Sequence, residues 1–333
     1  MTRSSRNKRT APLALSLLLA ATAFLGTAPG AAQAAFPEAG KTITWIVPTS
    51  PGGGFDTFSR MFIPYLQKQL PNNPNIVVKN IKGGEWNIGL SALNRSDPDG
   101  YTIGITNMPG NAVNQVLGKA QYDLGKFTWI GNISDVTYVA CVSKNSKYQT
   151  LEAMQKAPEV TAGVVGLASM AGLGTILAAD AMHYKVKAIP HDGSTEAILS
   201  AMRGDVDLVQ YPMATLKKTI VDSNDLTPVW VFAKKRLKLL PNVPTVGEIG
   251  YPELADVVYM IRPVAGPPGL PADVAKTLRD AFAKAWSDPE FQAQLQKKGV
   301  DTEPMSAEEL TEVVARQIKQ VEGYKGLIQQ AMK

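Results

Sequence analysis

A chain of 333 residues, 45% hydrophobic and 19% charged, has the length for two domains and the composition of an ordinary globular protein. Its formal charge of +5 is misleading: Arg3, Arg6, Lys8 and Arg9 are four of its 34 basic residues, they stand in an opening segment without an acidic one, and the rest balances 30 against 29. That balance does not suggest a nucleic-acid surface, which needs a basic stripe. A single cysteine, Cys141, excludes an intramolecular disulfide. Two histidines, His183 and His191, without paired metal-ligand spacing argue against a zinc site.

Residues 1–34 read as a secretory signal. A basic region ends at Arg9, an apolar run covers 11–25, and Ala32-Gln33-Ala34 is a cleavage site before Ala35. The run is short for a membrane span. No cysteine lies near the cut, which argues against lipid anchoring, and no Arg-Arg pair marks twin-arginine export. An exported, soluble mature protein is expected.

Residues 43–47 are apolar and predict a strand. The run breaks at Pro48 into a loop holding Pro51, Gly52, Gly53 and Gly54. Phe58, Phe62, Leu66 and Leu70 then recur at four-residue spacing, which predicts a helix. Strand, glycine-rich turn and helix aim backbone N–H groups and a positive helix end at one point, where an anion is the natural occupant. The phosphate-loop and dinucleotide glycine motifs are absent. The plain alternative is a tight turn that needs positive φ.

A second strand is predicted at 75–79, a second glycine loop at 82–89, a short helix at 88–93 and a third strand at 101–105 after the turn Asp97-Pro98-Asp99-Gly100. This alternation predicts a parallel, doubly wound sheet that binds ligands beyond the carboxyl ends of its strands. Thr106 and Asn107 share that edge. Cys141 is expected as a small apolar residue in a strand at 138–142. The device then repeats: a strand at 160–165, a small-residue loop at 166–174, and a helix led by Thr175. Another helix begins past Ser194, and strands are predicted at 207–210 and 226–232. The basic run 234–238 reads as a solvated face, and 257–261 as a strand crossing back to the first lobe. Two closing helices carry Val274, Leu278, Phe282 and Trp286, then Leu310, Val314, Ile318 and Val321 behind a Ser306/Glu309 capping box. Two such lobes facing each other would clamp an anion.

The ordered series Val47-Pro48, Pro51-Gly52-Gly53, Asp56, Arg60, Asn80, Gly83, Asn87-Ile88-Gly89 and Pro98-Asp99-Gly100-Tyr101-Thr102 continues in Ile189-Pro190-His191, Leu240-Pro241-Asn242-Val243-Pro244-Thr245 and Ala265-Gly266-Pro267-Pro268. It resembles the periplasmic solute-binding proteins of tripartite tricarboxylate transporters, the TctC or Bug family, over nearly the whole mature chain. The resemblance implies an α/β, two-lobed type II periplasmic binding protein (a Venus flytrap), each lobe a doubly wound sheet flanked by helices. Lobe 1 is expected at 35–137 plus 258–333, and lobe 2 at 138–257. The implied function is capture of a small di-, tri- or aromatic carboxylate between the lobes and delivery to the membrane permease subunits of a tripartite tricarboxylate-type transporter. No enzymatic activity, no cofactor and no nucleic-acid partner are implied, and a monomer is expected. The alternative is presentation of the ligand to a membrane signalling kinase.

Carried onto this chain, the family's contacts fall on Ser50, Gly52, Gly53 and Gly54 in the first loop, on Asn87 in the second and on Thr106 in the third. The facing lobe supplies Ser169, Gly172, Thr175 and His191. Asp56 would repel a carboxylate and is expected to brace its loop. Glu85 and Trp86 stand where the family has small glycines; Trp86, taken as a contact, either stacks on a ring or fills space. His191-Asp192 and Tyr211 also depart from the family's pattern. Arg262 stands where an aliphatic residue is usual, and is either an anion anchor or part of a surface salt bridge.

Overall fold

The computed structural model describes residues 36–165, 169–191, 193–300 and 302–331. The secretory-signal reading of 1–34, and the parts of the second-lobe loops at 166–168 and 192, lie outside the described residues. The chain opens with β1 (Thr42–Val47), α1 (Gly54–Gln69), β2 (Asn75–Asn80), α2 (Asn87–Asn94) and β3 (Thr102–Ile105), as the alternation predicts. Then come α3 (Gly110–Val116), β4 (Thr128–Ser143), α4 (Leu151–Gln155), β5 (Val160–Val164), α5 (Met170–Ala181), β6 (Val186–Pro190), α6 (Ser194–Arg203) and β7 (Leu208–Pro212). It closes through α7 (Met213–Lys217), β8 (Leu226–Val231), α8 (Leu254–Val257), β9 (Tyr259–Gly266), α9 (Ala272–Trp286), α10 (Pro289–Lys297), α11 (Ala307–Gly323) and α12 (Lys325–Ala331).

The strands build one curled mixed sheet in the order β2-β1-β3-β9-β4-β7-β5-β6, with β8 on β4. β1 is parallel to β2 and β3, and β5 is parallel to β6 and β7. β9 runs antiparallel to both β3 and β4. β4 pairs with β9 as far as Thr137 and with β7 from Tyr138 onward. Strand direction therefore has a consequence. β4 runs the way β1 and β3 run, and β7 and β5 run against it. The carboxyl ends of the parallel strands in the two sheet halves point toward each other, across the root formed by β4 and β9.

Side-chain alternation places helices on both faces. Trp45 and Val47 of β1 face α1, where Phe62 packs 4.6 Å from Phe282 and 5.0 Å from Phe291 between ring centres. Ile46 faces the other way, into a core with Leu90 and Leu93 of α2, Ala112 of α3 and Val314 of α11. A Cβ on Gly131 would lie 2.3 Å from the Phe282 ring, so a glycine in β4 is what lets α9 lie flat on the sheet.

Four local expectations are corrected or extended. β4 is 16 residues long, of which only the end was predicted; Trp129 to Ser134 are buried without a break, so they show no alternation. α5 begins at Met170, because Ser169 caps it, so Gly172 and Thr175 lie inside the helix rather than in or after a loop. The returning strand is 259–266, and Val257 belongs to α8. On α11 the Ser306/Glu309 capping box forms, and Gln317 takes a buried place on the apolar stripe beside half-buried Ile318. Cys141 is fully buried in β4, and burial pushes its thiol up. Among the described residues no helix is long and apolar enough to cross a membrane.

Candidate functional site

The carboxyl edge of the first sheet half carries three loops. The first is held by Asp56, in the opening turn of α1. Its carboxylate accepts the Gly52 N–H at 2.8 Å, Arg60 Nε at 3.0 Å and Asn80 Nδ2 at 3.0 Å. Asn80 also donates to the Thr49 carbonyl at 3.1 Å, which ties the end of β2 to the loop after β1. Asp56 is only 3% exposed. Burial alone would raise its pKa, but the hydrogen bonds from Arg60, Gly52 and Asn80 and the Arg60 charge outweigh it and hold the carboxyl below its ordinary value. Asp56 thus braces the loop, and it takes the Gly52 N–H that family likeness offered to a ligand. Gly53 is the N-cap of α1, and no side chain caps that end. The first amides of a 16-residue helix are therefore open toward the cleft, with Ser50, Gly53 and Gly54 exposed.

The second loop runs through four successive positive-φ residues, Gly83, Gly84, Glu85 and Trp86. Two of them are not glycine, a strain the fold must hold in place. The Asn114 side chain does so by donating to the Glu85 carbonyl at 2.8 Å. Trp86 packs edge-on against Phe55, 4.4 Å between ring centres. Trp86 is half-buried beside Phe55, with part of its ring at the surface. Gly89 permits this loop's approach to the first: a Cβ there would meet the Ile81 carbonyl oxygen at 2.7 Å and Pro48 at 2.8 Å.

The third loop follows β3. Thr106 is fully buried, and its hydroxyl donates to the Pro263 carbonyl at 3.2 Å. Its neighbour Asn107 is the better-placed group, because its side-chain oxygen is buried without a partner among the described residues. The same holds for Thr49 Oγ1 and Asn87 Oδ1. Each loop of this edge thus offers one unsatisfied polar atom. Buried groups of this kind are rare unless something absent completes them.

In the second half, Ser169 caps α5 by accepting the Gly172 N–H at 3.1 Å. Thr175 is fully buried, and its hydroxyl donates to the Ala171 carbonyl at 2.6 Å. His191 continues the β5 ladder by donating its N–H to Val164, and its Nδ1 bonds the Ile189 carbonyl at 2.8 Å. The sequence-predicted residues thus divide. Ser50, Gly53, Gly54 and Asn87 have groups facing outward or unsatisfied. Gly52, Thr106, Gly172 and Thr175 use their donors within the fold.

Arg262, on β9, is where the geometry differs most from expectation. It is 9% exposed and makes no ion pair among the described residues, so it is not a surface salt bridge. Its guanidinium lies over Phe58, 4.1 Å from the ring centre, and 5.5 Å from Phe55. Nη1 donates to Ser134 Oγ at 2.8 Å, and Nε is buried without a partner. Burial pulls its pKa down to about 10, against the opposing influence of Tyr138 and Asp135, so it stays charged at neutral pH. Asp135 beside it is pushed up by burial, although Tyr259, Asn132, Thr302 and Arg262 oppose this.

Arg262 lines a cavity of about 380 Å³ at the root of the two halves. Phe58 of α1, Val300, Asp135 and Val136 of β4, Met213 of α7, Leu237 and Lys238 are among the residues that line it. None of the sequence-predicted contacts lines it. The one signal for it was a charge inside the apolar run around Arg262. A larger groove of about 580 Å³ runs along α9 and the start of α11, edged by Lys276, Arg279, Glu308 and Glu309. Its charges are mixed. Among the described residues, no group of His, Cys, Asp and Glu is placed to hold a metal ion.

Comparison with known proteins places this geometry among relatives. The model of the tripartite tricarboxylate transporter family receptor matches residues 60–331. A UPF0065 protein from the ttuE–ttuC′ intergenic region of Agrobacterium vitis is 27% identical over 282 residues, covering 83% of this chain and 79% of the relative. A solute-binding protein of the TctC type from Polaromonas, solved without ligand, superposes with a TM-score of 0.77 at 22% identity, covering 86% of this chain and 98% of that one. An R. palustris protein solved with adipate gives 0.68 at 23% identity, over 87% and 98%.

Proposed function

We propose that this chain, which belongs to the tripartite tricarboxylate transporter family of receptors, is a periplasmic receptor that captures a small organic carboxylate between its two sheet halves and presents it to a tripartite tricarboxylate-type permease. The halves act as lobes, residues 35–137 with 258–333 and residues 138–257, hinged on β4 and β9. One observation carries the reading: Thr49, Asn87 and Asn107, on three different loops of one carboxyl edge, hold buried polar atoms without partners. They lie beside the uncapped, positive end of α1. An anion with several oxygens suits the helix end and the Thr49 hydroxyl, whereas the unpartnered atoms of Asn87 and Asn107 are amide oxygens, which accept, so these two side chains serve an anion only with the amide turned. The Asn amides donate when their N–H₂ faces it, and the Thr49 hydroxyl donates directly.

The energetics are sufficient. A helix end contributes about 0.3–1 kcal/mol to a bound anion, and charge-assisted hydrogen bonds about 1.5–3 kcal/mol each, before the cost of association. Micromolar capture needs only about −8 kcal/mol. A ligand that touches both lobes also favours their closed arrangement.

The test is isothermal titration of the mature protein with adipate, citrate and benzoate, alongside glucose and putrescine as neutral and cationic controls. Binding of at least one acid and of neither control is expected. Binding of a control alone would count against the reading.

A further inference from the structure

We propose that Arg262 is the carboxylate anchor of this receptor, and that the cavity it lines selects acids with an apolar body over small polycarboxylates. This deepens the capture reading above and rests on it. The first ground is the state of the guanidinium. A buried cation is costly unless paired, and this one has a serine hydroxyl, two aromatic faces and an Nε–H without a partner. Nη1 is held by Ser134 and Nε is closed off from solvent, so Nη2 is the donor left to meet a carboxylate, with Nη1 able to share its second N–H.

The second ground is place. Phe55, in the first turn of α1, touches both Trp86 and Arg262, and Phe58 one turn on carries the guanidinium, so Arg262 packs along the opening turns of that helix. Asp56, the acidic group in that helix turn, is already engaged with Arg60, Gly52 and Asn80. Asp135 shares the cavity, but its carboxylate accepts from Asn132 at 2.5 Å, and it forms no ion pair with Arg262 within 4.0 Å.

The third ground is the wall. Phe58, Val136, Met213, Leu237, Leu239 and Val300 give the cavity a mainly apolar lining from both halves, with Asp135, Thr137, Thr215, Lys238 and Gln296 as its polar part. A volume of about 380 Å³ falls in the range of sites for compact organic ligands. A second or third carboxylate on the same molecule would meet a mainly apolar lining that also holds the Asp135 carboxyl, with Lys238 as a further cation, and burying an unpaired charge there is disfavoured. An aromatic ring or alkyl chain enters it favourably.

The experiment uses the mature protein and its Arg262→Leu, Arg262→Lys and Ala214→Trp variants, each checked for native circular dichroism. Ala214 is exposed and lies on the cavity wall, so tryptophan there fills the space without entering the core. Benzoate, hexanoate and citrate are titrated, with benzamide as the neutral counterpart of benzoate. Benzoate or hexanoate is expected to bind more tightly than citrate, and benzamide about tenfold or more weaker than benzoate. Arg262→Leu and Ala214→Trp each lose about tenfold or more for the preferred acid, and Arg262→Lys recovers part of the loss. Unchanged binding in Arg262→Leu or in Ala214→Trp overturns the proposal and leaves carboxylate capture standing on the loops. So does a wild-type preference for citrate. A wild-type protein that binds none of the acids overturns capture itself.

Discussion

The guanidinium of Arg262 sits 4.1 Å from the centre of the Phe58 ring, across the junction of α1 and β9. A cation on an aromatic face contributes about 0.5–2 kcal/mol, more as water is excluded. In a double-mutant cycle of Phe58→Leu and Arg262→Leu, read by urea denaturation, the two residues should show a coupling of about that size. Strictly additive costs would mean that the contact is geometric only.

Asp56 carries the first loop. Asp56→Asn should cost about 1.5–3 kcal/mol, because it weakens hydrogen bonds from three partners at a buried site. Arg60→Ala should cost only about 0.2–1 kcal/mol, since the Arg60 side chain is 52% exposed. The pH dependence has a definite sign. A carboxyl held below its ordinary value of 3.8 stabilises the fold fully above that value and loses the contribution as pH falls through its lower, folded value. The stability gap between wild type and Asp56→Asn should therefore be flat at neutral pH and shrink below 3.8. A gap that widens on acidification would contradict this assignment.

The second loop stores backbone strain. Glu85 has φ of +50° and is exposed. Glu85→Gly should raise stability by about 0.5–1 kcal/mol by relieving that conformation. Gly83→Ala should lower it, because φ is +126° and the new Cβ would press on Ile88 at 2.6 Å. Thermal unfolding of the two variants should move in opposite directions.

Gly89 sets the spacing of the first two loops. Gly89→Ala places a methyl 2.7 Å from the Ile81 carbonyl oxygen and 2.9 Å from the Pro48 Cα, both backbone atoms. The variant should lose about 1–3 kcal/mol of stability. It should also bind acids more weakly, because Thr49 and Asn87 move apart. Full stability with full affinity would show that the loops tolerate a wider gap.

Much of the fold was legible because α1 and α9 each bury one face, so Phe58, Phe62, Leu278 and Phe282 announce themselves by spacing, and because β1 is a short apolar run stopped by Pro48. β4 was half hidden: from Trp129 to Val136 nearly every residue is buried on both sides, and periodicity vanishes. β6 was missed because Val186, Lys187 and Ala188 are partly or fully exposed at the sheet edge. The loops of the first lobe were readable from Gly52, Gly83 and Pro48. Which donors stay available was not, because that depends on where Asp56, Ser169 and the Thr106 and Thr175 hydroxyls spend their hydrogen bonds. Arg262 was visible as a charge in an apolar run. Its burial, its stacking on Phe58 and the cavity beside it depend on residues more than a hundred positions apart.

Co-crystallisation of the mature protein with its tightest-binding acid tests the central claim most directly. The expected density places the ligand between the two sheet halves, its carboxylate within hydrogen-bond distance of the loops after β1, β2 and β3 or of Arg262. A ligand resting on one half alone, or bound through a neutral group with those polar atoms still unpaired, would contradict it.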